Sequence, residues 1–194
     1  MDYFIKDLKK KEPKSIAEVM AFISYNPSIG RVLKKGGVKL FRQMVIRRYE
    51  KFSKIKTLKQ FDRFHNKWIS EFMRDIKTSD NRKASYGHAQ KAINVFLKTY
   101  VDWASKPARL TAKKLRPFLH VPLDKILMKA IKNNYPDFYN KEIKPLYKKK
   151  QTFSLSKINK KIYYKWQFFF RKKYPRKPLL FDIAWAIRRN NNNN

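Results

Sequence analysis

Lys91 and Asp124 are the residues of this sequence whose types and settings best suit covalent chemistry. Lys91 lies in "SYGHAQKAIN" (85–94), one turn inside an amphipathic helix that begins near Gly87. Asp124 lies in "HVPLDKIL" (120–127), close to the predicted start of another helix. A deprotonated lysine amine is a nucleophile, and a helix N-terminus favours an ionised carboxylate. The two segments therefore predict a nucleophilic amine and an anion able to stabilise positive charge.

The elements that must position these residues are predicted to be helices. Ser15 with Glu18 and Thr57 with Gln60 form capping-box patterns, each followed by apolar residues at helical spacing. Strand-like alternation is nearly absent, so we predict a compact all-α fold of about seven or eight helices. The predicted helices cover about 15–25, 38–52, 57–76, 87–104, 122–133, 154–173 and 178–189. We assign residues 1–189 to a single basic domain and 190–194 to a low-complexity asparagine tail without function.

Several kinds of catalytic site are excluded or unsupported by the residue types. The chain has no cysteine, which excludes disulfides, cysteine nucleophiles and iron–sulfur clusters. Its three histidines are scattered, and it contains no HExxH pattern and no acidic cluster, so we predict no metal site. It also lacks a Walker loop and a GxGxxG motif. We therefore expect no cofactor.

The charge of the chain predicts a polyanionic partner. The 194 residues include 48 Lys and Arg against 14 Asp and Glu, a formal net charge of +34. Hydrophobic residues make up 43%, enough for a packed core rather than a disordered basic tail. No signal-peptide pattern and no membrane-length apolar stretch occur. We predict a monomeric cytoplasmic, nucleoid-associated protein that binds double-stranded DNA, with RNA as an alternative partner and no membrane association.

The two segments together resemble the helix-hairpin-helix superfamily of DNA glycosylases. Gly87, Lys91 and Asn94 match the glycine, lysine and asparagine of the superfamily's hairpin motif, and Pro122-Leu123-Asp124 matches its catalytic aspartate motif. Ala89 stands where a second glycine is usual. The spacing of 33 positions from Lys91 to Asp124 is closer to that in archaeal 8-oxoguanine glycosylases than to that in endonuclease III.

The resemblance implies an enzyme that flips a damaged or modified base out of DNA and cleaves its N-glycosidic bond. Asp124 would stabilise the sugar cation or activate the nucleophile, and Lys91 would be the nucleophile or a DNA contact. The hairpin residues expected to contact DNA are Ser85, Gly87, His88 and Gln90, joined by Lys125 at the second motif. The implied biological role is base excision repair, or anti-phage defence against modified DNA.

The stretch "SKINKKIYYKWQFFFRKKYPRKP" (156–178) is the strongest candidate for nucleic-acid binding outside the two motifs. Its basic residues suit phosphate contacts, and its aromatic rings suit stacking on bases. The predicted DNA contacts here are Lys157, Lys160, Lys161, Lys165, Arg171 and Lys172, and the predicted base pocket contains Trp166 and His120. In the competing interpretation, Ile162, Trp166, Phe169 and Phe170 form a core stripe with the lysines outside. A helix lying on a membrane surface is a third interpretation.

Each catalytic candidate also has a structural interpretation. Lys91 falls away from the apolar stripe of its helix, as a solvated lysine would. Asp124 could act only as a helix cap. The alternative function is therefore a non-catalytic basic protein that binds RNA or the ribosome.

Overall fold

The computed structural model describes residues 2–147 and 153–182, and over these residues the protein is a compact all-α fold. The predicted fold class is confirmed. The α-helices, numbered α1 to α8 in chain order, are Asp2–Ser28, Gly37–Ile46, Leu58–Asp75, Tyr86–Leu97, Arg109–Leu115, Lys125–Asn134, Pro136–Phe138 and Lys160–Lys173.

Short helical segments of other geometry connect these helices. Two π-helical segments extend α4 and α7, over Lys98–Trp103 and Tyr139–Ile143. The 3-10 turns are Gly30–Val32, Tyr49–Lys54, Arg116–Phe118, Lys144–Leu146 and Leu155–Lys157. In the described residues, β-pairing is limited to two isolated bridges, Leu33 with Thr78 and Lys77 with Lys83.

Helices α3 and α4 begin where the sequence indicates. The Thr57 side chain caps α3 by accepting a hydrogen bond from the Gln60 amide. Ser85 caps α4 through the His88 amide, and the His88 ring accepts a hydrogen bond from the Ser85 amide in return. Each cap satisfies backbone donors that a helix start otherwise leaves unpaired.

Four predicted helix boundaries are wrong. The predicted helix 38–52 ends at Ile46, and Tyr49–Lys54 forms a separate 3-10 turn. Helix α1 begins at Asp2 rather than near Ser15, and Ser15 is exposed inside it, whereas Ala17 and Ala21 are buried. The predicted helix 154–173 begins at Lys160, because Asn159 caps it and Leu155–Lys157 forms a separate turn. Pro122 precedes α6 instead of lying in its first turn, since Asp124 is the capping residue. Most of the predicted helix 178–189 and the asparagine tail lie outside the described residues.

The core consists of two apolar clusters that meet at one seam. The first cluster is built mainly from α1 to α5 and includes Trp68 and Phe96. The second is built mainly from α6, α8 and the segments between them. Tyr86 and Leu155 pack against both clusters. The extended segment 119–124 runs along this seam before α6 and ends at Asp124.

Candidate active site

Lys91 and Asp124 form a direct ion pair. The Nζ atom of Lys91 lies 2.8 Å from Oδ2 of Asp124, and the side chains are only 13% and 18% exposed. The other carboxylate oxygen of Asp124 accepts a hydrogen bond from the Leu127 amide, at 2.8 Å, and so caps α6. One carboxylate oxygen of Asp124 thus contacts the Lys91 amine and the other a backbone amide at the start of α6, so the carboxylate is held at both oxygens.

Gln90 holds the segment that carries Asp124 against α4. Its amide oxygen accepts a hydrogen bond from the Leu123 N–H at 3.0 Å, and its amide nitrogen donates to the Leu123 carbonyl at 2.9 Å. The same nitrogen donates to the carbonyl of Gly87. Gln90 precedes Lys91 and Leu123 precedes Asp124 in the chain. The two hydrogen bonds between Gln90 and Leu123 therefore hold the side chains of Lys91 and Asp124 next to each other.

The prediction that Gln90 contacts DNA is therefore wrong. Its side chain is fully buried and its hydrogen-bonding groups are used by the protein backbone. A buried amide needs such partners, since an unpaired one costs about 1–3 kcal/mol. Gln90 positions the ion pair instead.

Gly87 is also removed from solvent, because the backbone of Leu155 crosses directly over it. A methyl group added at Gly87 would lie 1.9 Å from the Leu155 carbonyl oxygen. The connection between α3 and α4 covers 76–85, and its left-handed residue is Asn81, with φ of 66°. Gly87 thus lies inside the first turn of α4 and allows a close packing contact, and the predicted DNA contact at Gly87 is wrong.

A chain of buried polar side chains crosses the seam beside the ion pair. Asn94, one turn after Gln90, donates to the Gln90 amide oxygen at 3.1 Å and to the Tyr163 hydroxyl at 2.9 Å. The Asn94 oxygen lies 2.7 Å from Nε2 of His65, and the Tyr163 hydroxyl lies 2.5 Å from Nδ1 of His120. All five side chains are buried, so α3, α4, α8 and segment 119–124 are joined by one polar network.

The hydrogen-bond partners assign one neutral tautomer to both histidines. Nε2 of His120 lies 2.9 Å from Oδ1 of Asp62, which can only accept, so this nitrogen carries the proton and Nδ1 accepts from Tyr163. Nε2 of His65 likewise donates to Asn94, and its Nδ1 is buried with no hydrogen-bond partner among the described residues.

Burial lowers the pKa of both histidines well below 6.5. The nearby His120 ring lowers the pKa of His65 further, and the Arg171 guanidinium lowers that of His120. Burial also raises the pKa of Tyr163 well above 10. The network is therefore held in its uncharged form around neutral pH.

The predicted base pocket is wrong, because both of its residues are interior. Trp166 is fully buried in the second apolar cluster, where it packs against Phe138 and Phe170. His120 is buried in the polar network. The spacing of Ile162, Trp166, Phe169 and Phe170 on α8 was consistent with this outcome, since all four are core residues.

The remaining predicted DNA contacts are of three kinds: a residue used inside the protein, residues of the α4 cap, and exposed lysines. Arg171 is mostly buried, and its guanidinium donates to Asp62 at 3.3 Å and to the Phe118 carbonyl at 3.0 Å, so its guanidinium is used inside the protein. Ser85 and His88 are half-buried parts of the α4 cap. The exposed residues, which remain candidate contacts, are Lys125, Lys157, Lys160, Lys161, Lys165 and Lys172.

Sequence reasoning overlooked His65, Tyr163 and Asp62. His65 follows Phe61 by four residues and precedes Trp68 by three, so helical spacing places it on the core face of α3. Tyr163 lies one residue after Ile162 and three before Trp166 on α8. No spacing signal indicated Asp62, which is paired through tertiary contacts.

Residues 2–147 and 153–182 contain neither a candidate metal site nor a membrane-spanning helix. This part of the chain contains no group of three or more His, Asp or Glu side chains that could hold a metal ion. It also contains no helix that is long and apolar enough to cross a membrane.

Comparison with known proteins gives no relative. No family model matches the sequence, and neither a curated protein nor a solved structure matches it. The resemblance to helix-hairpin-helix glycosylases therefore stays a hypothesis based on the two motifs.

Proposed function

We propose that the protein is a DNA glycosylase whose active site contains Asp124 and Lys91. The observation that carries the proposal is the 2.8 Å contact between Lys91 Nζ and Asp124 Oδ2. The two motifs suggested these residues independently, 33 positions apart in the chain. An amine and a carboxylate in contact, each with a small exposed fraction, supply two groups that N-glycosidic bond cleavage can use.

We assign to Asp124 the role of stabilising the positive charge that develops on the sugar. When the bond between C1′ and the base breaks, its electron pair leaves with the base and positive charge develops on the sugar. A fixed carboxylate near C1′ stabilises that charge more than the neutral ground state, which lowers the barrier. The Leu127 amide and the Gln90 contact to Leu123 hold Asp124 in place for this task.

We assign to Lys91 the role of the nucleophile. Its ammonium group must lose one proton before it can attack C1′, and in this route Asp124, which contacts it, takes that proton instead of stabilising the sugar as an anion. The amine then bonds to C1′ as the bond from C1′ to the base breaks, and the base leaves with the electron pair and the proton held by Asp124. One proton then moves from the bound nitrogen to the ring oxygen as the sugar ring opens, which gives a protonated imine. If water adds to C1′ instead, Lys91 acts as a cation that binds DNA beside the reacting sugar.

The Asp124→Asn variant is expected to bind duplex DNA as the wild type does while losing base release by about 100-fold or more. Asparagine is also a good helix cap, so the variant removes the charge and retains the cap of α6. Binding is measured by fluorescence anisotropy and base release by chromatography. Unchanged base release in Asp124→Asn would contradict the assignment. Trapping by borohydride that is lost in Lys91→Ala would identify the amine as the nucleophile.

A non-catalytic RNA-binding protein is the second candidate. This candidate is favoured because both residues already have structural roles. Asp124 caps α6, and Lys91 forms an ion pair with Asp124. This function predicts tighter binding to structured RNA than to duplex DNA at the same salt concentration. It also predicts no base release from any substrate. Competition of labelled duplex DNA by unlabelled RNA separates the two candidates.

A further inference from the structure

We infer that the outer faces of α3 and α8 form one nucleic-acid-binding surface, in which the α3 cations bind phosphates and Phe168 stacks on an unpaired base. The inference rests on the proposed function for the identity of the partner. The α3–α8 surface, as we name it, is defined by Lys59, Arg63, Lys67, Arg74, Lys160 and Phe168.

The α3 part of the surface is a row of basic residues beside a groove. Lys59, Arg63 and Lys67 follow one another at four-residue spacing, and Arg74 continues the row. They line a shallow groove of about 620 Å³ that reaches Lys160 at the start of α8. The row covers about 22 Å along the helix axis, close to the length of six base pairs at about 3.4 Å each.

Four cations of this groove are available to a ligand, whereas Arg74 is paired with Asp75 and Arg48 with Glu71. Over the described residues, Lys59, Arg63, Lys67 and Lys160 are exposed and make no ion pair within the protein. The groove also contains one carboxylate, Glu71, which is neutralised by Arg47 and Arg48. The groove is thus positively charged, and unpaired cations in a row suit a phosphodiester backbone.

The α8 part of the surface adds an apolar ring. A second groove of about 700 Å³ is lined by Lys160, Lys161, Tyr164, Lys165 and Phe168. Phe168 is 68% exposed, whereas its neighbours Phe169 and Phe170 are buried in the core. An exposed aromatic ring among lysines is the arrangement that single-stranded nucleic-acid sites use to stack a base.

The two grooves are joined at their border. Lys160 lines both of them. Asn66, in the first groove, donates a hydrogen bond to the hydroxyl of Tyr164, in the second, at 2.8 Å, and accepts one from Tyr86 at 3.0 Å. These bonds fix the relative position of α3, α8 and the first turn of α4. A strand bound along α3 would therefore pass Lys160 and reach Phe168.

A nucleic acid fits this surface better than a membrane does. A membrane-surface helix presents a continuous apolar face, but Ile162, Trp166 and Phe169 of α8 point into the core. Only Phe168 among the large apolar side chains of α8 is exposed. One ring at the end of a row of cations suits a single unpaired base beside a phosphate backbone.

The test compares two triple variants of equal charge. The first replaces Lys59, Arg63 and Lys67 with alanine, and the control replaces Lys113, Lys114 and Lys129, which are exposed and line neither groove. Affinity for a duplex with one bulged base is measured between about 50 and 200 mM salt. We expect the slope of log K against log salt to become shallower by about 2.7 in the first variant. The control should change it by less than about 1.

Phe168→Ala tests the stacking contact. It should weaken binding to the bulged duplex by about five- to hundredfold and leave binding to a fully paired duplex unchanged. Leu110→Ala is the matched control, because Leu110 is 74% exposed on α5 and lies outside both grooves. Equal slopes for the two triple variants, or equal effects of Phe168→Ala on both duplexes, would overturn the inference.

The test also separates this inference from the catalytic proposal. If the expected slopes and the Phe168 effect are found but no base is released, the surface stands and the glycosylase proposal fails. If base release by the first triple variant survives at saturating DNA with an unchanged salt slope, the surface is wrong and the proposal stands. If the first triple variant loses more affinity for anionic vesicles than for DNA, the surface binds membranes and the inference is overturned.

Discussion

Replacing Gly87 with alanine is expected to lower the free energy of unfolding by about 3 kcal/mol. The added methyl group would lie 1.9 Å from the Leu155 carbonyl oxygen and 2.8 Å from its carbonyl carbon. Both atoms belong to the backbone, so no side-chain rotation relieves the overlap, and α4 and the segment before α8 must separate. That separation opens the contact of Leu155 with both apolar clusters.

Gly30→Ala is the matched control for this substitution. The nearest atom to a methyl group at Gly30 is 3.4 Å away, an ordinary contact. Both substitutions reduce the freedom of the unfolded chain equally, and Gly30→Ala should stay within about 1 kcal/mol of the wild type. Urea unfolding followed by circular dichroism measures the difference. Equal stabilities of the two variants would show that the Leu155 backbone does not pack on Gly87.

The second large effect is a loss of stability in mild acid, caused by the buried pair His65 and His120. Both have a pKa well below 6.5 in the folded protein, because burial disfavours the charged ring. In the unfolded chain they titrate near the ordinary value of about 6.5. Below that pH the unfolded chain therefore binds protons that the folded protein does not, and the free energy of unfolding falls.

The expected slope is about 1.4 kcal/mol per pH unit for each histidine, so about 2.7 kcal/mol per unit for the pair below pH 6. The charged groups that face the pair are Asp62 and Arg171, which contact each other. Arg171 opposes protonation of both rings, and Asp62 favours protonation of His65. The neutral partners are Asn94 and Tyr163.

Urea unfolding at several pH values between about 4.5 and 7.5 measures this slope. Nuclear magnetic resonance of the histidine rings provides an independent readout that needs no variant. The His65 and His120 rings should stay neutral at pH values below 6.5, where a histidine in the unfolded chain is already mostly protonated. Stability that is constant over this pH range, or ring titration near 6.5, would show that the pair is not buried as neutral rings.

The helices could be predicted from the sequence where local signals decide them. Apolar residues at helical spacing and a capping side chain were sufficient for α3 after Thr57, and apolar spacing alone predicted the start of α4 to within one residue of Tyr86. The same signals failed at α1, where Ser15 and Glu18 match a cap but the helix continues through Pro13. They also failed at α8, which begins at Lys160 with Asn159 as its cap and not near residue 154.

The candidate site could be predicted only in part, because its geometry depends on tertiary contacts. The motifs suggested Lys91 and Asp124, but their contact depends on the path of segment 119–124, which Gln90 fixes. Gln90 and Arg171 are types that usually lie at the surface and His120 is a type of intermediate burial, so the two motifs and the basic stretch 156–178 suggested roles in binding DNA. Each is instead satisfied inside the protein by partners distant in sequence.

The most direct test of the central claim is the release of a free base from DNA. Pooled duplexes carrying damaged bases and phage-type modified cytosines are incubated with the wild type and with Asp124→Asn, and the released bases are identified by mass spectrometry. The proposal predicts a free base with the wild type and none with Asp124→Asn, although both proteins bind the duplexes. No free base from any substrate at saturating protein, or equal release by both proteins, would contradict it.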